Sequence, residues 1–147
     1  MISPAIFFIA CLAGTVALWL AQLSIRGIRR RRLTSLARER RMHYVTDDRF
    51  DLAPRVAERL PLAGAADVRV VDLIYGTENG VRHYIFSAHY TRGVVRWKRR
   101  RHCVASLLET PNASGAEWSK LAIAPADLPL LDQYAALGKS DETKKET

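Results

Sequence analysis

The chain begins with an uncharged apolar run, Ile2 to Ile25, that stops at Arg26 and the block Arg29-Arg30-Arg31-Arg32. Apolar runs of roughly 20 residues match the hydrocarbon thickness of a bilayer, and arginines at one end resist translocation. The junction therefore predicts a transmembrane helix over residues 1–25, with a short N-terminus outside and everything after it in the cytoplasm. The expected setting is a single-pass protein of a bacterial inner membrane. Ser3-Pro4 suits a helix start, and Trp19 falls where amphipathic rings favour the interface. Nothing charged except the terminal amine precedes Arg26, so the basic n-region of a cleaved signal peptide is missing. Ile9-Ala10-Cys11 resembles the end of a lipobox, yet Phe8 is bulky for its position and the apolar run continues well past the cysteine. Lipidation is not expected.

Small residues Ala10, Gly14, Ala17 and Ala21 recur near one face of this helix, which leaves room for a homodimer through it. Alanine and glycine are equally common in spanning helices that make no such contact, and no strict GxxxG is present. The net charge of +8 would suit a nucleic-acid binder if it were spread over the chain. Instead Arg26 to Met42 carries eight arginines against Glu39, a net +7, and leaves +1 for the rest. Nucleic acid is accordingly disfavoured as a partner. Residues 26–44 read as an exposed basic juxtamembrane helix with Ile28, Leu33, Leu36 and Met42 as its sparse apolar positions. Topology alone accounts for this flank, while Arg29, Arg30, Arg31 and Arg32 are also candidate contacts for anionic lipid headgroups, worth at most about 1 kcal/mol each.

Residues 45–138 have the length of one small domain, and 139–147 form a polar tail with cancelling charges, expected to be disordered. Cys11 lies in the apolar run and Cys103 in a strand, so two free thiols in a reducing compartment are expected. Leu52, Val56 and Leu60 share one side of a short helix that Pro61 ends. Strands follow at 67–75, 81–90 and 94–108, the first two joined at Asn79-Gly80, which suits a type I′ turn. Glu117 to Ile123 is a possible fourth strand, with Trp118, Leu121 and Ile123 able to pack. Ala126 to Leu137 is a helix carrying Leu128, Leu131, Tyr134 and Leu137, capped by Gly138. The fold class is α+β: an antiparallel three-stranded meander with that fourth strand, packed with one or two short helices.

Register follows from the turns, because side chains alternate faces along a strand. Asn79-Gly80 as the loop gathers Val71, Leu73 and Tyr75 with Tyr84, Phe86, Ala88 and Tyr90. Taking Arg92-Gly93 as the second turn adds Val95, Trp97, Cys103, Ala105 and Leu107 to that face, with Arg99 and Arg101 opposite Phe86 and Tyr84. The reverse face then holds Val70, Asp72, Ile74, His83, Ile85, Ser87, His89, Arg96, Lys98, Arg100 and His102, a basic surface. His83 and His102 would be neighbours there, with Asp72 as a further oxygen, but the interleaved cations oppose a metal ion. Arg96, Lys98, Arg99, Arg100 and Arg101 are the candidate anion-binding residues, against the simpler reading of a solvated strand face.

No GxGxxG, GxxxxGK, CxxC, HExxH or GxSxG occurs, so neither a cofactor nor an enzymatic reaction is called for. His102 and Cys103 are adjacent and so point to opposite faces of a strand, which prevents a nucleophile and base pair. Asn112-Ala113-Ser114 matches a glycosylation sequon on the side that is not translocated. The run Tyr44-Val45-Thr46-Asp47-Asp48-Arg49-Phe50, the Leu52-to-Leu60 helix, the Gly76 hairpin and the Tyr90-Thr91 strand end resemble uncharacterised bacterial single-pass membrane proteins with a small cytoplasmic domain. That resemblance implies no activity and assigns no residue a role. The expected function is that of a membrane-anchored interaction or scaffold protein with an unidentified protein partner. The alternative is a tethered binder of anionic ligands, lipid headgroups or nucleic acid, and an enzyme of unrecognised class comes third. Fusion of a reporter to the C-terminus tests the topology: fluorescent protein should be bright there and alkaline phosphatase inactive, and the reverse pair of results overturns it.

Overall fold

The computed structural model describes residues 4–61, 64–93 and 99–139. The chain divides into two compact units, Met1–Arg32 and Leu33–Thr147. Helix α1 (Pro4–Glu39) supplies the first unit and contributes its last turns to the second. Its most apolar window has a mean hydropathy of 2.1 and no buried residue. By length and composition it is able to cross a membrane. Ile6, Phe7, Phe8, Leu18 and Trp19 are each more than half exposed, a larger apolar surface than soluble proteins ordinarily leave bare.

The second unit is built on a six-stranded antiparallel sheet. After α1 come β1 (His43–Asp47), α2 (Leu52–Arg59), β2 (Ala65–Glu78), β3 (Val81–Arg92), β4 (Arg99–Asn112), β5 (Gly115–Trp118), β6 (Ala122–Ile123) and α3 (Leu130–Lys139). The strands lie in the order β1-β2-β3-β4-β5, and β6 pairs with β4 beyond the end of β5. The expected α+β class is found, with more strands than the meander required. The segment taken as a continuous basic helix to Tyr44 instead turns at Arg41 (φ 55) and becomes the edge strand β1.

Both faces of the sheet are covered. On one face Leu52, Val56 and Leu60 of α2 pack on Val70, Leu73, Tyr84, Phe86, Ala88, Ala105 and Leu107. The opposite face, expected to be a solvated basic surface, is covered over part of its length by Leu33 and Ala37 of α1 and by Tyr134 and Leu137 of α3. These lie on Ile74, Ile85 and Val104. The C-terminal turns of α1 are thus core, and the expectation of an exposed helix fails there because every fourth residue from Leu33 meets the sheet.

Local chemistry fixes each helix. Asp48 accepts from the backbone N–H groups of Leu52 (2.9 Å) and Ala53 (2.8 Å), so a carboxylate sits on the orphan donors that open α2. Helix α3 starts later than expected, at Leu130 after Pro129, and runs through Gly138 instead of ending before it. The glycine instead leaves room for a side chain: the Arg40 guanidinium occupies the space a Cβ would fill there. From that position Arg40 donates to the carbonyls of Ala135 (2.8 Å) and Tyr134 (3.4 Å), a cation on the last turn of the helix.

The first hairpin forms as its turn chemistry demands, with Asn79 at φ 52, Gly80 at φ 81 and Glu78 opposite Val81. Further from the turn the register departs from expectation. Ile74 faces Ile85, but Val71 faces Ser87 and Val70 faces Ala88, because Asp72 and Leu73 together oppose Phe86. Asp72 takes φ 52, the left-handed conformation of a bulge, so Val70 is buried under α2 in place of Val71. The buried Asp72 accepts from Tyr44 Oη at Oδ1 (2.7 Å), and its carbonyl accepts from Tyr134 Oη (2.8 Å). A second bulge at Asp67 (φ 52) shifts the pairing again, to Ala66 opposite Thr91.

Between β3 and β4 the pairing differs from expectation by six residues: Arg92 faces Arg99, Ala88 faces Cys103, Phe86 faces Ala105 and Tyr84 faces Leu107. An even slip keeps every side chain on its face, so Cys103, Ala105 and Leu107 join the core as expected. Arg99 and Arg101 lie opposite Arg92 and Tyr90, not Phe86 and Tyr84. The strand starts at Arg99, and Val95, Arg96, Trp97 and Lys98 lie outside the described residues, as does the expected tail from residue 140. The loop expected at Pro111 to Gly115 is a tight hairpin with Asn112 opposite Gly115. The single fourth strand is two, and Ile123 is exposed while Trp118 and Leu121 pack. Ser119 separates β5 from β6 and holds β4 through both Leu108 backbone groups, accepting from N–H at Oγ (3.0 Å) and donating N–H to the carbonyl (2.9 Å).

Truncation of Leu33 distinguishes a core residue from a juxtamembrane one. Leu33→Ala should destabilise the second unit by about 2–5 kcal/mol and Phe86→Ala by about 3–5 kcal/mol, whereas Ile28→Ala should leave denaturant unfolding unchanged. An unchanged midpoint for Leu33→Ala would contradict the packing described.

Candidate functional site

Helix cover on the α1/α3 face extends along β3 from Ile85 to Ser87 and stops there. Beyond it β1 no longer accompanies β2, whose pairing with β1 ends at Val71, and β5 and β6 pair with β4 only from Ala105 onward. The sheet narrows to three strands, β2, β3 and β4. On their uncovered face Arg69, His89 and His102 stand in one row, each directly paired with its neighbour, and the next row holds Ala66, Thr91 and Arg100. The His89 and His102 rings are 5.9 Å apart. Arg69, His89, Arg100 and His102 are all exposed.

The electrostatics of this end are one-sided. Arg92 is opposite Arg99, and Arg100 and Arg101 follow directly on β4. Like charges placed directly across a strand pair destabilise it. Among the described residues no salt bridge reaches Arg69, Arg92, Arg99, Arg100 or Arg101, and the one carboxylate at this end is Asp67. That carboxylate accepts from Thr91 Oγ1 at 3.1 Å. Asp67, Arg69, Val71, His89, Tyr90, Thr91, Arg100 and Arg101 line an open cavity of about 510 Å³. Next along the same face Ser87 is fully buried, and its hydroxyl has no hydrogen-bond partner among the described residues.

Of the candidate anion-binding residues, Arg99, Arg100 and Arg101 are found on this end of the sheet, Arg100 on the bare face and Arg99 and Arg101 on the other. Arg96 and Lys98 fall outside the described residues. Arg29, Arg30, Arg31 and Arg32 belong to α1 in the first unit. The sequence reading missed Arg69, and it paired His102 with His83, which instead faces Leu108 near the first hairpin. The signal that would have found Arg69 is Asp72: an acidic residue inside a Val- and Ile-rich strand marks a bulge, and a bulge reverses the face of everything beyond it. No group of three or more metal-ligating side chains occurs among the described residues. His102 is exposed while Cys103 packs on the α2 face, where burial pushes its thiol pKa up and leaves it less nucleophilic.

A second cluster lies at the other end of the α2 face. Tyr84 is buried, donates to Glu109 Oε2 at 2.6 Å, and stacks on Trp118 at 5.8 Å. Phe50 meets Tyr75 and Tyr84 edge-on at 4.8 and 5.3 Å, and the Arg55 guanidinium lies 4.4 Å from the Trp118 ring centre. Arg82, across the strand pair from Glu109, is 3.6 Å from the same carboxylate. These contacts close the core around Tyr84.

Comparison with protein-family models, curated proteins and solved structures matches nothing, so the resemblance to bacterial single-pass proteins gains no support and no relative assigns a role to this site.

Burial, and then the hydrogen bond to Glu109, push the Tyr84 pKa up to about 12 from its ordinary 10.0. The folded state thus holds this proton more tightly than the unfolded chain, and the resulting stability is present below about pH 10 and lost as pH rises towards 12. The thermal midpoint of the wild type should fall over that window more steeply than that of Tyr84→Phe. Parallel curves would mean that Tyr84 does not titrate on unfolding.

Proposed function

We propose that this chain is a non-enzymatic interaction module, anchored by α1 in a bacterial inner membrane with its sheet domain in the cytoplasm, and that it contacts an anionic partner. The observation that carries the reading is the cationic end of the sheet, where among the described residues five arginines stand against Asp67, Arg69 and Arg100 on the face that α1 and α3 leave uncovered and Arg92, Arg99 and Arg101 on the other. Positive charge on an edge strand can serve simply to prevent strand pairing, and that would account for Arg99 to Arg101 on β4. It does not account for His89, which stands on the central β3, although β2 too is an edge at Arg69, where β1 has ended. The scaffold reading and the anion-binding reading then converge on one surface. The arginine flank of α1 supports a cytoplasmic domain.

Salt dependence tests the proposal. The full chain in neutral detergent should bind heparin, with affinity falling steeply as salt is raised. Replacing Arg99, Arg100 and Arg101 together with Gln should flatten the log–log slope by up to about 3, since each lost contact removes just under one unit. An unchanged slope, or no retention at low salt, would eliminate this surface as the contact.

A further inference from the structure

Resting on that reading, we infer that the bare face of Arg69, His89, Arg100 and His102 is a binding site for net-anionic phosphodiester headgroups, whose phosphate charge no choline offsets, and that its source of ligand is the anionic bilayer in which the chain itself is anchored. Three observations select this occupant. The charge is carried by arginine, whose planar fork matches phosphate oxygens two at a time, and none of these guanidiniums is committed to a carboxylate among the described residues. The cavity beside them, about 510 Å³, is open to solvent and has room to admit a headgroup. The same chain carries a helix long and apolar enough to span a membrane, which holds the domain at high local concentration beside headgroups.

A single-stranded nucleic acid fits the site less well. Sequence-tolerant strand binding relies on aromatic side chains on which bases stack, and among the described residues no Phe, Tyr or Trp rises from this face. Tyr90 reaches the cavity from the opposite face, where it packs beside the α2 core. Asp67 is the one group in the cavity that repels an anion, and its carboxylate is engaged by Thr91 Oγ1 at 3.1 Å. His89 and His102 stand in the row between Arg69 and the strand that carries Arg100, so their ring signals are local reporters for this face.

The chain has four histidines, which supplies internal controls. His83 lies on the same strand as His89, six residues and about 20 Å away, and His43 is on β1 against Tyr75. The full chain is placed in nanodiscs of phosphatidylcholine, or of phosphatidylcholine with phosphatidylglycerol, each containing some lipid spin-labelled on the headgroup. Ring proton signals are assigned with His89→Gln and His102→Gln. In the anionic discs the His89 and His102 signals should broaden while those of His43 and His83 stay sharp, and in pure phosphatidylcholine none should broaden. Arg69→Gln with Arg100→Gln should reduce the broadening about tenfold without altering the His43 and His83 positions, which report that the sheet is intact. Equal broadening of all four signals, or none in the anionic discs, overturns the inference. In the latter case, additions of inorganic phosphate and of a single-stranded oligonucleotide decide what else falls. A shift of His89 and His102 with either keeps an anionic partner and replaces the bilayer as its source, whereas no shift with any anion removes the proposed function as well.

Discussion

Five consecutive residues of β3, Tyr84 to Ala88, are buried, and a strand can be buried at successive positions only when both of its faces are covered. That requirement organises the second unit. Tyr84, Phe86 and Ala88 need α2, while Ile85 and Ser87 need a second layer, which α3 and the last turns of α1 supply. The helix that carries the apolar N-terminal run is therefore also a structural element of the sheet domain. Leu33 and Ala37 are as buried as Phe86, so the domain begins at Leu33, inside α1, and not where the helix ends. Where the double cover ends, after Ala88, no further residue of β3 is buried, and the cationic row begins at the very next residue.

A single bulge decides which side chains form that row. Without the extra residue at Asp72, Arg69 would stand opposite Tyr90 and share the α2 face; with it, Arg69 stands opposite His89 on the bare face. The bulge is stabilised where it sits. Asp72 tolerates the left-handed backbone better than the Val and Ile around it, Tyr44 donates to its carboxylate, and Tyr134 donates to its carbonyl. Tyr44 belongs to the edge strand and Tyr134 to α3, so two separate elements hold the bulge in β2 that places Arg69 on this face.

The parts of this fold legible in the sequence are those governed by local rules. Asn79-Gly80 dictates its turn, Leu52, Val56 and Leu60 dictate the buried stripe of α2, and alternation identifies Tyr84, Phe86, Ala105 and Leu107 as one face. Register beyond the bulge was not legible, because a bulge is a local conformational choice with a non-local consequence. The pairing of β3 with β4 was misplaced because Arg92-Gly93 looks like a two-residue turn while nothing local excludes a longer connection. Cover of the second face was missed for a related reason: Leu33 and Ala37 are sparse among arginines, and their burial depends on a sheet that forms much later in the chain. For the site, the arginines of β4 stood out as charges that insertion topology does not require. Arg69 and the His89–His102 pairing did not, since both depend on register.

Charge segregation ties the face to the remainder of the molecule. The chain after Met42 is nearly neutral, with a net charge of +1. Because, among the described residues, five arginines and only Asp67 occupy one end of the sheet, the rest of that stretch is net negative, and the domain carries an electrical asymmetry along its strands. Local stability does not require it. Opposing Arg92 to Arg99 weakens the hairpin, and alternating Lys with Glu on β4 would have protected the edge without that cost. An asymmetric field orients a body as it approaches an anionic partner and loses its reach beyond about 10 Å at moderate salt. Such a field is most effective for a domain already held close to its partner, as one tethered by α1 to an anionic bilayer would be.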